Sequence, residues 1–204
     1  MTQTRVSKTF LLALVALALG SCATTRPVHE WRNEKISGPI DSVLVIAAIE
    51  RSTQRRVYED LFAQALGAYG TEVVPSYSLM TSQVEISRAT VEAAVRGRAI
   101  DAVLVTRLLG VEKVETYQPP TTRVYYRNYH GYYQHALTEA SPGYYRRFNV
   151  LSIETVLYDT ASGELIWSMQ SESIEPSTPR PVIEEQIDLT VAHLSAQGLL
   201  PENQ

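Results

Sequence analysis

Apolar residues along this chain follow two rhythms. The stretches SVLVIAAI (residues 42–49) and AVLVTRLL (residues 102–109) are apolar at successive positions. Strands read this way when helices bury both faces of their sheet. Between them the period lengthens. Val57, Leu61, Ala65 and Tyr69 recur every fourth residue, with Ser52 or Thr53 placed to cap a helix and Gly70 to end it. A short strand (TEVVP, residues 71–75) follows. Ser87 then caps a second helix through Arg96, with Val91 and Val95 on one side and Gly97 as its stop. This β-α-β-α-β order favours parallel pairing with right-handed crossovers.

The second half alternates instead. In FNVLSIETVLYD, Leu151, Ile153 and Leu157 are separated by polar neighbours, as in a strand with one wetter face. The turn DTASG leads to an antiparallel return strand over residues 164–172, whose outer edge around Trp167 offers a second interaction surface. After Pro176, Pro179 and Pro181, the residues Ile183, Ile187, Val191 and Leu194 form the apolar stripe of a last helix, ended by Gly198 and Pro201. The predicted fold is α/β, a single domain over residues 41–200 in the order β-α-β-α-β-β-β-α. Its mixed sheet is covered by helices and carries a long Tyr-rich excursion, residues 112–145, between strands three and four.

The N-terminus sets the compartment. In MTQTRVSKTFLLALVALALGSC, Arg5 and Lys8 precede an apolar run over residues 10–19. That run is shorter than the roughly 20 residues of a transmembrane helix and has the layout of a removable secretory signal. Leu19-Gly20-Ser21-Cys22 resembles the bacterial lipobox. The resemblance implies a signal peptide over residues 1–21, a diacylglyceryl group on Cys22, and attachment to a membrane through that lipid. Two or more acyl chains hold a protein stably where one does not. Cys22 is the only cysteine, so neither a disulfide nor a cysteine metal site can form within the chain. Ala23, not aspartate, follows it. By resemblance to Gram-negative lipoproteins this implies the outer membrane, with the domain facing the periplasm. Residues 22–40 then read as the lipidated cysteine and a short tether. Fully extended it spans at most roughly 65 Å, and as a coil about 24 Å.

Charge narrows the partners. The full chain has 18 basic and 22 acidic residues, a formal charge of -4. Without Arg5 and Lys8 the balance is 16 against 22, or -6. A mildly acidic protein has no global attraction to nucleic acid or to anionic lipid, and a secreted one does not meet nucleic acid.

The lipobox, the buried first strand, the R-x-x-Y-E-D helix start at Arg55–Asp60 and the YDTASGELIW hairpin before a last amphipathic helix resemble a group of bacterial envelope lipoproteins. Their domain is similar to the N-terminal domain of the Tol-system propeller protein. The group includes the lipoprotein activators of peptidoglycan synthases and the curli-secretion lipoprotein. The resemblance covers most of residues 40–200 in element order. It implies a domain that binds partners or oligomerises and has no enzymatic activity. The short tether departs from the synthase activators, which use long ones. Pro119-Pro120, Arg123, Arg127, Arg146 and Arg147 depart from the membrane-inserting hairpins of the curli pore. A branch distinct from both fits better.

Familiar catalytic signatures are missing from the sequence: no nucleophile elbow, Walker loop, G-x-G-x-x-G or H-E-x-x-H. Glu59 and Asp60 sit near a helix start, where the dipole favours carboxylates, but neighbouring helix positions point apart. Asp101 reads as a turn residue, and Thr106-Arg107 as a strand end meeting water. His130 and His135, with Glu139 nearby, supply too few ligands for a zinc site. The sequence therefore predicts a non-enzyme with no cofactor and no metal.

What stands out is tyrosine. Eight of the 12 tyrosines lie between Tyr117 and Tyr145, interleaved with arginine. Tyr and Arg are enriched where proteins bind one another. Tyr125, Tyr126, Arg127, Tyr129, Tyr132, Tyr133, Tyr144, Tyr145 and Arg146 are accordingly the candidate contact residues for an envelope protein or a second copy of the chain. Two alternatives stand beside that: the rings stack on cell-wall glycan, or they pack over the domain or each other and merely order a long loop.

Overall fold

The computed structural model of the protein describes residues 25–80, 86–126, 136–174 and 179–202. Its strands are β1 (Thr25–Arg32), β2 (Ser42–Ala48), β3 (Glu72–Pro75), β4 (Ala102–Gln118), β5 (Thr121–Tyr126), β6 (Ala136–Ser141), β7 (Tyr144–Asp159) and β8 (Leu165–Ile174). Its helices are α1 (Ser52–Gly67), α2 (Arg88–Val95) and α3 (Pro179–Ala196). Six strands form one sheet in the order β1-β8-β7-β4-β2-β3. β2 pairs parallel with β3 and β4, and every other neighbour is antiparallel. The expected mixed α/β sheet is therefore present, with the expected elements in sequence and three further strands, β1, β5 and β6.

β2 is buried on both faces, and each face feeds a separate core. Val43, Val45 and Ala47 point toward α1 and α3, among Tyr58, Phe62, Leu66, Trp167, Ile187 and Leu194. Leu44 and Ile46 point the other way, clustering with Val103, Ile100 and Ala94 of α2. Helix α2 begins with a capping box: Thr90 N–H donates to Ser87 Oγ, and Ser87 N–H donates back to Thr90 Oγ1. Helix α3 ends in a Schellman arrangement, with Leu199 N–H donating to Leu194 O and Gly198 N–H to Ser195 O, both at 2.9 Å. Gly198 takes φ +66° there, which a side chain would resist.

Four expectations are corrected. First, residues 25–32 are not tether but edge strand β1, whose partner is β8. An edge strand needs only backbone pairing, so its polar sequence is no obstacle. Second, β8 is consequently not an open edge: β1 covers it, and Trp167 is fully buried. Third, α1 presents Tyr58, Phe62 and Leu66 to the core, one position on from the predicted stripe. Val57 is exposed, while Leu61, Ala65 and Tyr69 flank the core. Arg51, without a side-chain cap bond, is its N-cap in place of Ser52 or Thr53. Fourth, β4 is buried only as far as Thr106, with Val105 already half-buried. Leu108 and Leu109 are exposed, because β4 has run past the end of β2, whose last pair is Ala48 with Arg107.

Candidate functional site

That overrun builds the site. β4 and β7 stay paired from Ala102/Asp159 out to Gln118/Tyr144, although β8 leaves β7 at Val150. Beyond Val150 the two strands form a ribbon with no third strand. A bulge at Leu109 shifts the register where the ribbon leaves the sheet, and such bulges bend and twist a strand locally. Past Pro119-Pro120 and Pro142-Gly143, β5 and β6 pair only with each other, from Thr121/Ser141 to Tyr126/Ala136. The excursion expected as a loop is thus a two-stranded arm.

Its inner segment, residues 113–118 against 144–149, divides its side chains by strict alternation. One face carries the pairs Lys113/Asn149, Glu115/Arg147 and Tyr117/Tyr145, and the other Val114/Phe148, Thr116/Arg146 and Gln118/Tyr144. Arg147 Nε donates to Glu115 Oε1 at 2.8 Å across the ribbon. The Tyr117 and Tyr145 rings pack tilted, centroids 5.0 Å apart, a favourable aromatic pair. Gly143 makes that possible. A Cβ there would lie 2.8 Å from Tyr117 Cζ and closer still to its hydroxyl. Tyr117, Tyr144 and Tyr145 nevertheless remain 50%, 60% and 67% exposed. They do not pack over the domain.

The sequence candidates are therefore split. Tyr144 and Arg146 share one face of the ribbon, and Tyr145 takes the other. Tyr125 and Tyr126 lie on β5, opposite Leu137 and Ala136. Cys22, Arg127, Tyr129, Tyr132 and Tyr133 lie outside the described residues, as do His130 and His135. Sequence reasoning left out Tyr117, although its distance from Pro119-Pro120 mirrors that of Tyr145 from Pro142-Gly143. It also left out the exposed Leu108, Leu109 and Val111 at the arm's root.

Away from the arm lie two polar clusters, one buried and one at the edge of the sheet. Glu59 is fully buried. Its Oε1 accepts from Ala47 N–H at 3.0 Å, Arg55 Nε at 3.0 Å and Ser76 Oγ at 2.5 Å, and its Oε2 from Tyr77 N–H at 3.1 Å. It locks α1 to the ends of β2 and β3. Asp60 points outward and accepts from the Tyr77 hydroxyl, which raises that phenol above its ordinary value. In the second cluster Glu30 Oε1 accepts from Trp167 Nε1 at 2.8 Å, and Glu30 Oε2 bonds His193 Nδ1 at 2.9 Å. An open groove of about 1030 Å³ lies between α2 and the Asp159–Gly163 turn, lined by Val91, Val95, Ile100, Val105 and Tyr158. Among the described residues, no three His, Cys, Asp or Glu are placed to hold a metal, and no helix is long and apolar enough to cross a membrane.

No protein-family model matches the chain. No curated protein matches it either. Solved structures that resemble it include a PelC dodecamer from Paraburkholderia phytofirmans, at 12% identity and TM-score 0.45, covering 86% of this chain and 98% of that one. Lipoprotein GNA1162 from Neisseria meningitidis overlaps at 15% identity and TM-score 0.39, covering 76% of this chain and 98% of the other. Overlaps this loose assign neither a detailed fold nor a role.

Proposed function

We propose that the protein is a non-catalytic envelope lipoprotein, held in the outer membrane by acyl chains on Cys22, that recognises a partner protein or a second copy of itself through its tyrosine arm. The observation that carries this is the arm itself. A Tyr-rich segment that served only to order the domain would fold back onto it, whereas β5 and β6 pair only with each other, beyond the ribbon of β4 and β7. A self-paired ribbon loses little conformational freedom on binding, which favours affinity. The lipobox at residues 19–22 and Ala23 after it support the placement.

In-cell photo-crosslinking tests the reading, with the photoreactive residue at Tyr125 on β5 and a control at Ser162, in the turn at the far end of the sheet. A discrete protein adduct from Tyr125 alone is the expected result. Adducts from both positions, or none in folded, lipidated protein, would refute it. Recovery of wall glycan on Tyr125 in place of protein would favour stacking on cell-wall sugar.

A further inference from the structure

Across four strands runs a single row of paired residues: Thr25 on β1, Ser173 on β8, Leu151 on β7 and Val111 on β4. β1 begins at this row and β8 ends one residue beyond it, while β4 and β7 continue outward as the arm. The start of β1 and the root of the arm therefore occupy the same end of the sheet. With strands about 4.8 Å apart, Thr25 and Val111 lie roughly 15 Å from one another. Only Ala23 and Thr24 separate Cys22 from Thr25, so the Cα atoms of Cys22 and Thr25 are at most about 11 Å apart. Thr25 is itself fixed, since its Oγ1 bonds Ser173 Oγ at 2.5 Å and donates to Glu185 Oε2 at 2.9 Å.

We infer that the inner arm, through Tyr117, Tyr144, Tyr145 and Arg146, rests in the headgroup layer of the bilayer that holds Cys22. The inference depends on the lipidation proposed above. It adds a second contact, distinct from the partner site on the outer arm. Three observations single out a lipid surface as the occupant. Acyl chains on Cys22 leave too short a span to lift this end of the sheet clear of the membrane. Exposed apolar residues also gather here: of the 11 large ones among the described residues, seven (Leu108, Leu109, Val111, Tyr117, Tyr144, Tyr145 and Ile174) lie at this end. Finally, the charge is complementary. The inner arm, residues 113–118 and 144–149, carries Lys113, Arg146 and Arg147 against Glu115, a net +2 on a mature chain of -6.

Tyrosine and arginine are the residues that settle at a membrane–water boundary, one by its amphipathic ring and the other by attraction to lipid phosphate. The arm does not cross the hydrocarbon. Lys113, Glu115 and Arg147 occupy one face and Arg146 the other, so neither face of the ribbon can meet lipid tails at the midplane.

The test uses the mature lipidated protein in vesicles of equimolar phosphatidylethanolamine and phosphatidylglycerol. A fluorophore is placed by Tyr145→Cys or, as control, by Ser162→Cys at the opposite end of the sheet. Spin labels on lipid headgroups should quench the Tyr145→Cys probe severalfold more than the Ser162→Cys probe. Adding Arg146→Glu should weaken that quenching. Equal quenching at the two positions, in protein that floats with the vesicles, would overturn the inference and leave the lipidation reading intact. Stronger quenching by mid-chain labels would overturn it in favour of insertion. Protein that does not float with the vesicles would sink the lipidation reading, and this inference with it.

Discussion

Trp167 lies in the centre of the core and donates its indole N–H to Glu30 Oε1 at 2.8 Å. The partner sits on β1, the first strand in the chain and the outermost in the sheet. Burial alone would raise the Glu30 carboxyl, but the bonds from Trp167 and His193 outweigh it and hold the group below its ordinary 4.5. A carboxylate depressed in the folded state stabilises fully above its unfolded value, and that contribution disappears as pH falls through the folded one. Glu30→Gln should therefore lower the thermal midpoint at pH 7. The gap to the parent should close as pH falls below about 4.5. A gap that persists unchanged at lower pH would show that the charge of Glu30 is immaterial.

Glu59 tests the inner network. Arg55 and Glu59 are both buried, and Glu59→Ala leaves the guanidinium without its carboxylate and two backbone N–H groups without an acceptor. Removing one member of a buried pair costs about 3–5 kcal/mol. A fall of that size in unfolding free energy, read from urea titration at unchanged slope, is the expected result. Glu59→Gln keeps an acceptor oxygen and should fall between the parent and Glu59→Ala.

The arm should be dispensable for folding. β5 and β6 pair only with each other, and the last inner pair is Gln118 with Tyr144. Replacing residues 119–143 by Asn-Gly, which suits a two-residue hairpin turn, should leave the thermal midpoint unchanged, while the partner captured through Tyr125 in the parent no longer co-purifies. A large drop in the midpoint would mean that the removed residues pack on the core.

Gly143→Ala addresses the ring pair alone. The added methyl occupies the space of the Tyr117 ring, so the ring must swing away from Tyr145. Near-ultraviolet circular dichroism in the tyrosine band should change, with no shift in the unfolding midpoint. An unaltered tyrosine band would show that the two rings are not held together in solution.

The elements that the sequence revealed are those whose side chains are sorted by burial. β2 and the first half of β4 lie between two layers of helices, so their apolar runs are unbroken. Ser87 announces α2 because its hydroxyl performs the capping. β1 carries no such signal: TRPVHEWR is almost wholly exposed, and its stability comes from backbone pairing and from Thr25 and Glu30. The inward face of α1 was hidden by Arg55 and Glu59. These two are buried because they satisfy each other and the ends of β2 and β3, an arrangement that hydropathy scores as surface. The arm reads as a loop in the sequence for a related reason. A ribbon exposed on both faces leaves no alternation to detect, and only the tyrosines marked it as unusual.

The pairing of β1 with β8 also has a consequence in time. Thr25 and Ser173 are 148 positions apart, so the first strand to be synthesised must wait for the last strand before it can dock. Long-range pairings of this kind close late in folding. Until then β8 presents an unpaired edge, and the indole of Trp167 lacks its acceptor. A chain delivered in this order spends the interval with its sheet open on the side nearest its own N-terminus, so shielding that edge is the task that any chaperone of this protein inherits.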